Sequence, residues 1–217
     1  MEEKNGFLTE QEKQANKLAA QVMQITFLFF SLAYIMNFVG IFKVERGIMT
    51  LAYVAGSILL IVPSLLIMKF KIDSSYIKYL VILGAVSLVT LLSITLTYHV
   101  VVFYVYPIAI ASLYFSKKLN IITAVLTVTG VSIGQIAAFY LQTLSDDNFT
   151  ELHGVIVYGV VPRALILIAI AAIFTTLGKR TAAMLSNLMG AEEQERLLDN
   201  MKQMRASAAK TSEALYD

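Results

Sequence analysis

One arginine stands inside a long apolar run. Arg163 lies in the stretch Val155–Leu177, roughly 12 Å down a helix at about 1.5 Å per residue. That depth is close to a bilayer midplane, where a charge costs at least about 2.5–3.5 kcal/mol. A guanidinium so placed is expected to face the interior of a bundle and to collect acceptors there. No aspartate or glutamate falls inside any of the apolar runs, so the sequence supplies no counter-ion within them. Asn37, Gln135, Tyr104, Tyr106, Tyr140 and Tyr158 can accept hydrogen bonds or offer a ring face to the cation. Arg163 with Tyr104, Tyr106, Gln135, Tyr158 and Asn37 is therefore the candidate ligand-binding set, suited to a small anion such as a carboxylate. The alternative is an arginine satisfied by carbonyls and tyrosines, or a last helix set deeper than drawn. Pro162, just before it, removes a backbone donor and would free the carbonyl of Tyr158.

Other chemistry is sparse. His99 and His153, with Asp146, Asp147 and Glu151 nearby in sequence, could bind zinc or respond to pH, but their spacing matches no ligand motif and they also read as ordinary interfacial residues. The absence of cysteine excludes disulfides, thiolate metal sites and a cysteine nucleophile. No phosphate-binding loop, dinucleotide fingerprint, zinc-protease helix or nucleophile elbow is present. The expectation is a protein that is not an enzyme and uses no metal or cofactor. A net charge of +2 is too small to argue for a nucleic-acid partner.

The elements that must position these residues follow from hydropathy. Hydrophobic residues make up 58% of the chain and charged residues 15%, against about 25% charged in ordinary soluble domains. Six apolar runs are near the length needed to cross about 30 Å of hydrocarbon: 18–42, 48–68, 76–96, 100–115, 120–141 and 155–177. The third and fourth are separated only by Thr97-Tyr98-His99, and their joint length requires a tight hairpin of two helices. The amino terminus reads as a polar cytoplasmic segment, 1–17, and not as a cleavable signal peptide. Thr9 and Glu12 fit a capping box that would start a helix near Thr9. Lysines at 4, 13, 17, 69, 71, 78, 117, 118 and 179, with Arg180, fall on one side of a six-span arrangement; only Lys43 and Arg46 oppose them. Both termini are thus expected in the cytoplasm of an inner membrane.

Within the spans, Gly130 and Gly134, with Thr123 and Thr127 on roughly the same stripe, and the pair Ala52 and Gly56 predict close helix packing inside one subunit. From 179 to 217 the chain turns charged and alanine-rich. Leu197, Met201, Met204, Ala208 and Leu215 recur at heptad-like steps, with Thr211 filling one, which reads either as a coiled-coil seam or as a solvated amphipathic tail. The segment Gly190-Ala191-Glu192-Glu193-Gln194-Glu195-Arg196-Leu197-Leu198-Asp199-Asn200-Met201-Lys202-Gln203-Met204, with Ala206–Leu215 after it, resembles the juxtamembrane region of bacterial methyl-accepting chemotaxis receptors of the multi-span type. The resemblance covers about thirty residues of low complexity and no methylation helix or kinase-control hairpin.

The fold expected is all-α: a sensor bundle of about six transmembrane helices over 18–178, its last helix continuing into a cytoplasmic coiled coil over 179–217. The resemblance implies a sensory module, homodimeric through Met201, Met204 and Ala208, that passes a ligand or membrane signal to downstream signalling proteins through an output domain beyond Asp217. The lipid bilayer is then its main partner, with a small anion as ligand. The alternative is a substrate-binding membrane subunit of a small-molecule transporter.

Overall fold

The structure is a computed structural model that describes residues 2–41, 44–72, 74, 76–143 and 149–216. It is 89% helical, with no strand among the described residues. Long apolar runs form helices because the backbone then satisfies its own polar groups within each segment. The elements are α1 (Glu2–Val39), α2 (Arg46–Met68), α3 (Ile77–Thr95), a 3₁₀ segment (Thr97–Val105) and α4 (Tyr106–Ser112). They are followed by α5 (Lys117–Tyr140), the single turn α6 (Leu152–Gly154), a π-helical stretch (Val155–Val160) and α7 (Val161–Tyr216). Two compact units result, Met1–Gly178 and Lys179–Asp217. Among the described residues, five helical stretches are long and apolar enough to cross a membrane: Gln11–Val39, Arg46–Met68, Ile77–Thr95, Lys117–Tyr140 and Leu152–Asn187.

Two expectations change. Helix α1 begins at Glu2, so Thr9 lies inside a helix instead of capping one. The glutamates, lysine and glutamines around it favour helix on both sides. The fourth apolar run is not one α-helix. Its Val100-Val101-Val102 and the aromatic Phe103 and Tyr104 lose side-chain freedom in a helix, and Pro107 cannot donate a backbone bond. The chain answers with 3₁₀ bonding, in which the Tyr106 N–H reaches the Phe103 carbonyl, and with a break at Val100 (φ −128°, ψ 18°). Thr97 takes a positive φ of 38°. Its carbonyl accepts the Tyr104 hydroxyl at 2.8 Å, which closes the turn out of α3.

That short segment still runs the height of the first unit. Thr143, just past α5, donates to the carbonyl of Ile94 at the end of α3 (2.6 Å), so α3 and α5 finish together. Tyr114, just before α5, donates to Asn16 near the start of α1 (2.8 Å). Residues 97–116 therefore travel opposite to α3 and α5. Nine 3₁₀ residues and seven α residues reach about 28 Å if straight, at roughly 2.0 and 1.5 Å per residue. The nineteen residues of α3 span about the same length.

Close packing centres on α3, which buries Val81, Ala85, Leu88, Val89 and Leu92. Gly130 and Gly134 of α5 bear on Thr90 and Ser93 of α3: a methyl group at Gly134 would fall onto the Ser93 hydroxyl and within 2.9 Å of the Thr90 carbonyl. Gly56 of α2 likewise takes the Phe30 ring edge. The small-residue pairs are thus intramolecular contacts, as their spacing predicts. Gly134→Ala is expected to lower stability by about 1–3 kcal/mol, the usual cost of overpacking, whereas Gly190→Ala, with nothing within 4 Å, should not. Thermal unfolding in nanodiscs checks the pair, and equal melting temperatures would remove the argument for this contact.

Candidate functional site

The backbone ahead of Arg163 is unusual. Pro162 has no N–H to return, and the chain before it widens into the π-helical stretch Val155–Val160. Such wide turns recur next to functional residues. This one brings Gly159 against Gln135 of α5: a Cβ there would stand 3.1 Å from Gln135 Oε1, 3.2 Å from Arg163 Nη1 and 3.4 Å from Phe149 Cε1. The absence of a side chain at 159 is what lets the three groups meet. Arg163 Nη1 donates to Gln135 Oε1 at 3.3 Å. Gln135 and Phe149 are buried, while Arg163 is half-buried.

This bond fixes the guanidinium beside Gln135 of α5. Gln135 stands five residues before the end of α5 at Tyr140, about 7–8 Å from that end. The guanidinium therefore sits in the last third of α5. Helical side chains lean toward the amino end of their own helix, and Arg163 lies close to the start of α7.

Of the six residues singled out from sequence, the structure joins Arg163 and Gln135. Tyr158 lies on the π-helical stretch but is exposed. Asn37 donates to the Val44 carbonyl (2.8 Å) and ties the α1–α2 connection. Tyr104 is fully buried and serves the 3₁₀ segment. Tyr106 stacks on Phe103, with centroids 4.7 Å apart and planes 12° apart. His99 and His153 are both exposed. Among the described residues no group of three histidine, aspartate or glutamate side chains could hold a metal ion. Asp146, Asp147 and Asn148 lie outside the described residues.

Sequence reasoning missed Gly159 and Phe149, and it missed a polar tie at the opposite end of the unit. There Lys78 at the start of α3 pairs with Glu12 of α1, one turn before Asn16, which holds Tyr114. The spacing of Glu12 and Asn16 puts both on one face of α1, a signal visible in the sequence. Arg46, whose charge opposes the lysine pattern, rests over the Phe38 ring, 5.6 Å from its centroid, where the quadrupole attracts a cation.

The fold and this arrangement define an all-α protein with five helices fit to cross a membrane and a polar contact, arginine to glutamine, between α5 and the last of them. No protein-family model, curated protein or solved structure matches the chain.

If the Arg163–Gln135 bond contributes to packing, a double-mutant cycle with Arg163→Met and Gln135→Leu should show coupling of about 1 kcal/mol. Additive effects on unfolding would mean that the two side chains are merely neighbours.

Proposed function

We propose that the chain is the transmembrane sensory module of a bacterial, chemotaxis-like receptor of the inner membrane. In this reading residues 18–178 cross the bilayer six times with both termini in the cytoplasm. The sixth crossing passes its signal into a coiled coil over 179–217 that dimerises and feeds an output domain. Arg163 with Gln135 is the point at which a small anion would be felt, since the π-helical stretch that precedes Arg163 also opens α7.

The observation that carries the proposal is the helix Val161–Tyr216, whose charged portion keeps Leu197, Met201 and Met204 exposed at steps of four and three residues. Three apolar side chains on one face, in water, favour a partner helix. The side chains of Ala208 and Leu215 lie outside the described residues. The six-crossing topology is supported by the reverse run of residues 97–116, which returns the chain to the lysine-rich end before α5 begins. A transporter subunit accounts for Arg163 equally well but has no use for the heptad pattern.

Because the chain has no cysteine, single cysteines from Leu197 to Leu215 can be cross-linked in native membranes without a background. Peaks at Leu197, Met201, Met204 and Ala208, repeating about every 3.5 residues, are the expected result. A flat profile would sink the receptor reading and turn attention to substrate flux. A membrane-impermeant maleimide added outside intact cells is expected to label Gln142→Cys and not Lys71→Cys or Lys118→Cys; labelling at Lys118 would break the topology.

A further inference from the structure

A cavity of about 350 Å³ lies between α1, α2, α3 and the 3₁₀ segment, walled by Phe29 and Phe30, Leu60, Leu88 and Leu92, and Phe103. Its size is within the range of sites that hold small molecules. Its one polar lining residue is Thr26, and the Thr26 hydroxyl donates to the Val22 carbonyl at 2.8 Å. The walls thus present no donor that is not already engaged and no charge. A polar or ionic guest would lose its hydration there without compensation. At the mouth, Phe29 is 68% exposed, and Leu28 and Leu32 beside it are exposed too. All three belong to the stretch Gln11–Val39, which is apolar enough to lie in hydrocarbon. An opening on that side admits what is dissolved in or made of the bilayer.

We propose that this cavity is a binding site for one acyl chain of a membrane lipid, which enters sideways past Phe29 and leaves its headgroup outside. A chain restores the dispersion contacts that a void would forfeit, needs no hydrogen bond, and is the most concentrated apolar species at that mouth. Because Phe103, together with Val100 at the break in the 3₁₀ segment, forms one wall, the guest touches the least regular part of the fold. The proposal rests on the chain lying in a bilayer. It does not depend on the tail dimerising or on Arg163.

The chain has no tryptophan, so one introduced tryptophan reports its own surroundings. The full chain in nanodiscs of phosphatidylcholine with brominated chains would be compared for three variants: Phe30→Trp on the cavity wall, Phe29→Trp at the mouth, and Phe149→Trp, buried elsewhere. Phe30→Trp should lose as large a share of its emission as Phe29→Trp, and Phe149→Trp should keep its own. Adding Ala33→Leu, which fills the cavity, should restore the emission of Phe30→Trp and leave Phe29→Trp quenched. Leu88→Phe narrows the cavity from α3, to a smaller extent, if Ala33→Leu does not fold. Emission from Phe30→Trp that is kept in brominated lipid, or lost equally with the cavity filled, would overturn the proposal. So would quenching by a free brominated alkane but not by the lipid.

Discussion

In hydrocarbon, every backbone N–H and C=O must find its partner inside the chain, and the first unit is shaped by where that cannot be done with a plain α-helix. Three prolines remove three donors. Pro63 is buried inside α2, Pro107 sits in the first turn of α4, where its missing N–H is least costly, and Pro162 follows the wide π-helical turns. The 3₁₀ segment and the π-helical stretch each end two residues before a proline, Pro107 and Pro162. Hydroxyls follow the same economy: Thr26, Ser31, Thr90, Thr95, Thr123 and Thr127 each donate to the carbonyl four residues back. These six hydroxyls are thereby satisfied by their own helices.

The same constraint explains why α3 and α5 approach so closely. With lipid as solvent there is little hydrophobic drive between helices, so small residues and van der Waals contact must hold them. Gly130 and Gly134 provide the surface on α5, and Thr90 and Ser93, their hydroxyls already satisfied by their own helix, provide the one on α3. About 56% of the α3 window is buried, against 11% for α1. The periphery is left to helices whose apolar residues face outward.

Much of this was legible in the residues. Run lengths marked α2, α3 and α5 to within a few positions because apolar stretches bounded by charges have few alternatives in a bilayer. Glycine spacing marked the tight contacts. What could not be read was helix type. Val100-Val101-Val102 and Pro107 announce a poor helix, but choosing 3₁₀ bonding depends on the distance the segment has to cover, which its neighbours set. Nor could the residue count say which side chain the Arg163 guanidinium meets. Counting along the helix locates Cα, while a seven-atom side chain that leans back toward its own amino end decides where the charge lies. Asn37, Tyr104 and Tyr106 were grouped with it on residue type alone, and local bonds and stacking claim them elsewhere.

The stretched fourth segment also makes the bundle selective about its surroundings. The helical stretches of 29 and 23 residues in α1 and α2 are longer than about 30 Å of hydrocarbon demands of a perpendicular helix, an excess that tilting can absorb. Nine 3₁₀ residues and seven α residues have no such slack. The shortest rung of a ladder decides how far apart its rails can stand, and in the six-crossing reading proposed above this segment would gauge the bilayer thickness in which the unit sits without strain.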